Sequence, residues 1–413
     1  MKNSFLSEMK SRGYLNQCTD LENLEKISKD KSIKAYIGFD CTAPSLHVGS
    51  LLQIMLLRLL QRHGHQPIVL LGGGTTLIGD PSGKDSTRKI LKQKDIKKNI
   101  SSIKKLFEKL LPAKNKKIKP IFVDNYQWLS KLKYIDFLRE IGKHFTINKM
   151  LSFDSVKLRL DREQSLSYME FNYMILQAYD FYQLYKKHEC ILQMGGSDQW
   201  GNIVSGVELI RRILQKNSYG LTTPLITLSS GAKMGKTEKG AVWLDQKMFT
   251  PYDYWQFWRN TSDNDVKKFL NYFTEIEVNE LSEKIENEKD INNLKILLAN
   301  EATTIMHGAK AAKDCADTAK ETFVKGGLGK NIPVKTISKK KLSQGINIIE
   351  LIFQNGLINS KSEVRRILNN NGIRVNDNVI SDEKKIINME NVSKDNSIKL
   401  SIGKKNHLKV KII

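Results

Sequence analysis

Apolar residues in this chain change their spacing from one segment to the next, and the changes outline a fold. Residues 34–39 (KAYIGF) read as a short buried strand, and 42–47 as a turn-rich crossing into a helix. That helix, from about position 48 to 63, is apolar nearly all round through Leu51, Leu52, Ile54, Met55, Leu56, Leu57, Leu59 and Leu60, so it is buried on most sides. Gly64 ends it, and PIVLL at 67–71 is the continuous apolar strand typical of a parallel sheet. Short strands at 121–124 and 189–194 follow, the second leading through GGSDQWGN into a helix that carries 204–214. This alternation predicts an open α/β fold, a Rossmann-like parallel-sheet domain whose ligands bind beyond the carboxyl ends of the strands.

The remaining periodicity is helical. Residues 4–30 read as helices, with Asp20 a candidate N-cap before LENLEKI, and 89–119 as a lysine-rich helical stretch. Between 128 and 162 come helices and a mixed segment, suited to subunit contacts and to the approach of a nucleic acid. A helix at about 167–185 places Tyr173, Gln177 and Asp180 at i, i+4 and i+7, within one narrow stripe. Beyond 245 the chain reads as a Trp- and Tyr-rich segment at 250–259 and amphipathic helices near 264–288 and 291–318. Residues 325–343 have linker composition, and two short helices and several strands complete the chain. The expected division is a catalytic domain with an insertion at 1–245, a helical domain at 246–325, a linker at 326–343 and a small α+β domain at 344–413.

Charge changes the picture. The chain carries 67 Lys plus Arg against 44 Asp plus Glu, a formal +23. An AT-rich coding bias toward Lys, Asn and Ile accounts for part of this, but the excess is concentrated: fourteen basic against three acidic residues in 84–119, sixteen against seven in 331–413. Two basic regions suit a long, folded nucleic acid. Cys18, Cys41, Cys190 and Cys315 lack paired spacing, which argues against a disulfide framework and against zinc. No long apolar run and no signal-peptide pattern occurs, so a soluble, cytoplasmic protein without a membrane partner is expected.

Candidate chemistry gathers at the strand ends. At HVGS, 47–50, the first-turn N–H groups of a helix favour a phosphate, His47 adds a donor, and Gly49 leaves room for a flat ring. The loop GGGTTLIGDPSGKDSTR, 72–88, is one residue short of phosphate-loop spacing and has Asp85 after its lysine, so a Walker site is rejected. Its glycines are expected to admit a ligand, and Asp80 is a carboxylate on a stiffened turn. Asp180, among Phe171, Met174, Ile175, Ala178 and Phe181, needs a donor that a substrate hydroxyl or ammonium would supply. Gly195 and Gly196 give backbone access, Asp198 suits a ribose hydroxyl, and Gln199 offers an amide. Lys233 and Lys236, in LSSGAKMGKTEKGAVWLD at 228–245, sit on a loop expected to be mobile and to close over a polyphosphate.

Taken in order, these strings resemble a known family. HVGS at 47–50 is similar to the HIGH signature, and KMGKT at 233–237 to the KMSKS signature, of the class I aminoacyl-tRNA synthetases. YIGFD, GDPSGK, YMEFNYMILQAYD and GGSDQWGN resemble strings of the bacterial tyrosyl-tRNA synthetases, and the match runs through essentially the whole chain. The resemblance implies that Tyr36 and Asp180 hydrogen-bond the phenol of tyrosine, that Asp80, Tyr173 and Gln177 hold its α-ammonium, and that Gln199 lies near its carboxylate. It assigns Gly38, Asp40, His47, Gly49, Ser50, Gly196, Asp198 and Lys236 to ATP, with Asp198 and Gly196 at the ribose. It gives Thr42, His47, Lys84, Arg88, Lys233, Lys236 and Thr237 the task of stabilising the phosphates. The C-terminal segment is similar to a small RNA-binding domain shared with a ribosomal protein, which implies tRNA contacts from Ser360, Lys361, Arg365 and Arg366. Two positions depart from the pattern: Ser50 stands where the signature ends in His, and Ile37 where many relatives have a Cys near the ribose. Neither supplies the same hydrogen bond, so weaker ATP binding is expected, with activity retained.

The implied reaction has two halves. With Mg²⁺ expected alongside ATP, the tyrosine carboxylate attacks the α-phosphate, giving tyrosyl-adenylate and pyrophosphate; the terminal ribose of tRNA(Tyr) then takes the tyrosyl group. Positioning and charge stabilisation carry the first step without a covalent nucleophile. A homodimer is implied by the resemblance as well. Two other readings are a tryptophanyl-tRNA synthetase, disfavoured because Tyr36 and Asp180 suit a phenol, and an RNA-binding protein that kept the fold but lost catalysis, against which His47, Lys233 and Lys236 argue.

Overall fold

A computed structural model of the protein describes residues 4–81, 91–113, 115–231, 234–237, 240–324, 334–358, 360–393, 395–403 and 406–413. Its central feature is a six-stranded sheet made of β1 (Gln17–Cys18), β2 (Lys34–Asp40), β3 (Gln66–Gly72), β4 (Ile121–Asp124), β5 (Leu192–Gly196) and β6 (Tyr219–Thr223), in the order β1-β6-β5-β2-β3-β4. Strands β6, β5, β2, β3 and β4 run parallel, and β1 pairs antiparallel at the edge. The α/β expectation is met, although β1 and β6 were not foreseen. Two residues are too few to show alternation, and YGLTT carries no apolar run although it is wholly buried. From β2 the chain builds outward to β3 and β4 on one side and later to β5 and β6 on the other. The order therefore reverses between β2 and β5, where a crevice forms at the carboxyl ends.

The helix expected from about position 48 begins at Leu51 and runs to Arg62, because Val48–Ser50 forms a 3-10 turn first. Gly64, at φ 84°, reverses the chain into β3. The Tyr173–His188 helix ends at Glu189 in the left-handed conformation, so β5 starts at Leu192 and takes in Gly195 and Gly196, which had been read as loop. Phe181 and Leu184 of that helix and Ile210 of the Trp200–Leu214 helix share a core with Tyr36, Ile68 and Leu70. The lysine-rich stretch holds a helix at Gln93–Leu110 that buries Ile96, Ile103, Phe107 and Leu110 and turns its lysines outward.

Two compact units emerge, one of Met1–Thr250 with Gln256–Met306, the other of Pro251–Trp255 with His307–Ile413. The helices expected to form a domain of their own at 246–325 are thus divided. Asp263–Phe273 and Val278–Asn287 belong to the first unit and Ala309–Val324 to the second. The stretch 291–318, read as one helix, is broken at Gly308, φ 94°. In the second unit the five-stranded sheet runs Asn378–Ile380, Ile373–Val375, Ser397–Ile402, Asn406–Ile412, Val334–Ile337, over a core of Ile, Leu and Val that includes the helices Ile348–Gln354 and Lys361–Asn369. Residues 334–343, read as linker, instead form the edge strand Val334–Ile337 and the helix Lys339–Ser343. An edge strand that buries only Ile337 looks like linker in composition. Among the described residues no helix is long and apolar enough to cross a membrane.

Candidate active site

A cavity of about 390 Å³ lies over the carboxyl ends of β2 and β5, walled also by the Tyr173–His188 helix, the HVGS segment and Trp243. Strand polarity explains the gathering: parallel strands deliver Tyr36 to Asp40 and Gln193 to Gly196 to one rim. Of the residues singled out above, Tyr36, Gly38, Asp40, Thr42, His47, Gly49, Ser50, Asp80, Tyr173, Gln177, Asp180, Gly196, Asp198 and Gln199 line it, as does Ile37.

At the closed end Tyr36 and Asp180 are each 1% exposed. Asp180 accepts from Asn125 Nδ2 at 2.8 Å and from Trp128 Nε1 at 2.7 Å. Burial pushes its carboxyl pKa up to about 7; these two bonds oppose the rise, and the charges of Asp40 and Asp124 add to it. The Tyr36 hydroxyl is buried with no hydrogen-bond partner among the described residues. Burial, and then the Asp180 charge, pushes its pKa well above the usual phenol value. An orphan hydroxyl beside an acidic group is the environment that a ligand hydroxyl completes. The donors Asn125 and Trp128 were missed. The only local signal is a polar DNYQW string at the carboxyl end of β4, which says nothing of a partner more than fifty residues away.

In the middle of the cavity Thr75 Oγ1 donates to Asp40 Oδ1 at 2.9 Å and the Tyr173 hydroxyl to Asp40 Oδ2 at 3.3 Å, while Asn125 Nδ2 also donates to Thr75 at 3.1 Å. Asp40, given to the nucleotide by resemblance, thus turns its carboxylate toward the tyrosine-binding candidates. Opposite, Gln199 Nε2 donates to Asp80 Oδ2 at 2.9 Å, and Asn202 Nδ2 donates to Gln177 Oε1 at 3.0 Å and Gln199 Oε1 at 3.1 Å. Asn202, also unforeseen, orients both glutamines. Two carboxylates and two amide groups around one space suit an ammonium.

Beside the glycines of 72–74 the space a Cβ would take is filled by the protein itself, although Gly72 also lines the cavity. A Cβ on Gly72 would lie 2.5 Å from Asp40 Oδ1, one on Gly73 would strike the Asp124 carboxylate, and one on Gly74 would lie 2.8 Å from Leu129. They make room for the protein's own side chains, and Thr75–Ile78 is a helical turn instead of loop. Gly196 does the same for Asp198, 2.5 Å from its absent Cβ. Gly38 differs: its Cβ would meet only Leu70, at 3.7 Å, so the β2 backbone stays open to the cavity.

The HVGS turn also departs from expectation. Val48 N donates to Val242 O at 2.9 Å, Gly49 N to His47 Nδ1 at 3.0 Å and Ser50 N to His47 O at 2.9 Å, so these first-turn amides are engaged within the protein. The flat ring that Gly49 accommodates is the His47 imidazole, 2.5 Å from where a Cβ would sit, with Met234 O at 3.3 Å. Because Nδ1 accepts, the neutral ring carries its proton on Nε2, as a donor. Gly235, at φ 101°, approaches so closely that its Cβ would lie 3.0 Å from both Gly49 N and His47 Nδ1. The His47 ring meets Trp243 edge-on at 6.2 Å, and Leu244 N donates to Leu46 O at 2.9 Å. The two signature segments are therefore in contact. Lys84, Arg88 and Lys233 lie outside the described residues, as do the side chains of Lys236 and Thr237, whose backbone pairs with Gly240–Ala241.

In the second unit Ser360 caps the Lys361–Asn369 helix through Glu363 N, Lys361 pairs with Glu350, Arg365 with Glu383 at 3.5 Å and Arg366 with Glu363 at 3.7 Å. Among the described residues no group of three or more His, Cys, Asp or Glu is placed to hold a metal ion.

Three likenesses accompany this geometry. A tyrosine–tRNA ligase of Pelagibacter ubique (strain HTCC1062) is 63% identical over 413 residues, 100% of this chain and 100% of the relative. One of Rickettsia massiliae (strain Mtu5) is 51% identical over 409 residues, 99% of this chain and 100% of the relative. The crystal structure of a C-terminally truncated Aspergillus nidulans mitochondrial tyrosyl-tRNA synthetase superposes with a TM-score of 0.70 at 29% identity, covering 78% of this chain and 95% of that one. The family of tRNA synthetases class I (W and Y) matches residues 28–324, and with the two signature segments in contact at Gly49 and Gly235, the chain belongs to that family.

Proposed function

We propose that this chain is a tyrosine–tRNA ligase, which activates L-tyrosine with ATP to tyrosyl-adenylate plus pyrophosphate and then transfers tyrosine to the 3'-terminal adenosine of tRNA(Tyr). One observation carries the choice of amino acid: the buried, unpartnered Tyr36 hydroxyl in a cavity whose closed end also holds the buried Asp180. A phenol donates to the carboxylate and accepts from the tyrosine. An indole N–H would donate but accept nothing, and a phenyl ring would do neither, leaving the Tyr36 hydroxyl unpaired and adding no donor to Asp180.

In this reading Asp80, Tyr173 and Gln177 take the α-ammonium and Gln199 lies by the carboxylate. Asp198 and Gly196 bind the ribose, and Gly38 leaves the β2 backbone accessible to the nucleotide. Thr42 and the Nε2 proton of His47 stabilise the phosphates, together with Lys84, Arg88, Lys233, Lys236 and Thr237, and Mg²⁺ accompanies ATP. The reaction needs no covalent nucleophile: fixing carboxylate and α-phosphate for in-line attack supplies much of the acceleration. Ser360, Lys361, Arg365 and Arg366 contact tRNA. The enzyme is a homodimer, a reading supported by the exposed apolar side chains of Tyr134, Ile135, Ile147, Leu158 and Tyr168 on the inserted helices. It works in the cytoplasm, where its substrates are.

The test is ATP–pyrophosphate exchange with each of the twenty amino acids. Tyrosine alone should support it. Exchange with tryptophan would identify the other ligase of the family, and a folded protein without exchange would be an RNA-binding relative.

A further inference from the structure

Asp265 is a deeply buried carboxylate, 2% exposed, in the first turn of the Asp263–Phe273 helix and outside the cavity. It accepts from Ser229 N at 2.9 Å (Oδ2) and 3.2 Å (Oδ1), and from Ser229 Oγ at 3.0 Å. Lys268, one turn on, pairs with it at 3.2 Å and donates to Thr227 O at 2.8 Å. Burial alone would raise the pKa of this carboxyl, yet the bonds from Ser229 and Lys268 outweigh it and hold the pKa below the ordinary value. Two side chains of one helix thus grip the backbone at 227 and 229.

What they grip leads to the site. Pro224, Leu225 and Ile226, just before the gripped residues, wall the cavity, and Ile226 O accepts from Met234 N at 3.4 Å. Met234 O in turn lies against Gly49, beside His47. The other end of the helix is anchored as firmly. Arg12 donates to Thr274 O at 3.1 Å and Ile276 O at 2.6 Å, and Arg58 holds Glu275 through two bonds of 2.7 and 2.8 Å. Arg58 belongs to the Leu51–Arg62 helix, whose start is the HVGS turn. The Asp263–Phe273 helix is therefore a strut: one end is fixed to the far end of the HVGS helix, the other to the segment that docks Met234 onto Gly49.

We infer that Asp265 is a positioning residue for adenylate formation, acting through Ser229 to hold the Pro224–Ile226 wall, and with it Met234, against the HVGS turn. The inference rests on the ligase reading for its kinetic arm and on geometry alone for its second arm. In the full-length protein, Asp265→Ala should lower tyrosine-dependent exchange at least tenfold and raise the KM for ATP, while tyrosine affinity measured by equilibrium titration stays within twofold of wild type. Asp265→Asn, which keeps an acceptor for the Ser229 amide, should recover part of the loss. Independently of activity, hydrogen exchange of a peptide covering 225–231 should quicken in Asp265→Ala, with the β5 region unchanged. If Asp265→Ala does not fold, its more exposed partners are tested through Ser229→Ala and Lys268→Met, each expected to show a milder form of the same split. Parallel loss of tyrosine binding and exchange, or unchanged exchange and unchanged protection at 225–231, overturns the inference. A wild-type protein without tyrosine-dependent exchange refutes the ligase reading, and the protection measurement then decides the clamp by itself.

Discussion

Asn125 donates its side-chain amide to Asp180 at 2.8 Å while its carbonyl oxygen accepts from Gly74 N at 2.7 Å, so the residue after β4 braces the carboxylate at the closed end of the cavity. The same amide reaches Thr75, which donates to Asp40, to which Tyr173 also donates. One polar chain therefore links the group proposed to read the phenol with the groups proposed to hold the ammonium.

Breaking that chain at Asn125 has a defined cost. Asn125→Ala removes a bond to a charged group, worth about 1.5–3 kcal/mol. The expected result is a kcat/KM for tyrosine in exchange lower by about 10–100-fold, with the KM for ATP nearly unchanged. Asp180→Ala should cost at least as much, and unaltered tyrosine kinetics in either variant would remove Asp180 from its proposed role.

Stability should depend on pH through Asp180. Its carboxyl titrates near 7 in the folded protein against an ordinary value of 3.8, so the folded state binds the proton more tightly than the unfolded chain. The sign follows: its contribution to stability is fully present below about pH 4 and is lost as pH rises to about 7. Relative to Asp180→Asn, which cannot ionise, the wild-type protein should lose up to about 4 kcal/mol across that window. Denaturant unfolding of both proteins between pH 4 and 8.5 measures the difference, and a gap that does not vary with pH would contradict the assignment.

Gly49 is tied to His47. In Gly49→Ala the new methyl must displace an imidazole only 2.5 Å away, along with the Met234 carbonyl at 3.3 Å. Exchange should fall by roughly 10²–10³, the loss typical of a misplaced charge-stabilising donor, while tyrosine still binds. A variant of normal rate would show that the imidazole position does not matter.

Where the chain is cut should decide which activity survives. Val334–Ile337 pairs in parallel with the last strand, Asn406–Ile412, so removal at 344 would strip an edge strand of its partner. Ending the chain at 324 removes that sheet whole. Exchange should persist, and charging of tRNA should fall at least tenfold; equal loss of both would refute the division of labour.

Much of this was legible in one dimension. Continuous burial writes apolar runs, so β2, β3, β4 and the HVGS helix were readable, and a period of 3.6 was enough to put Tyr173, Gln177 and Asp180 on one face, where all three now line the cavity. The edge strand at 334–337 and the break at Gly308 were not readable, because an exposed edge and a single glycine leave little local pattern.

Short-range order along the chain therefore determined the elements, their alternation and the residue types offered at each strand end. Only tertiary structure decided who meets whom. Asn125 with Asp180, Asn202 with Gln177, the glycines of 72–74 with Asp40 and Asp124, and Gly235 with Gly49 are encounters between segments distant in sequence that the fold brings side by side. Those distances are set by packing across the fold, to which no local spacing is sensitive, and so the amides of Val48–Ser50 and the space beside Gly72–Gly74 proved to serve the protein's own groups.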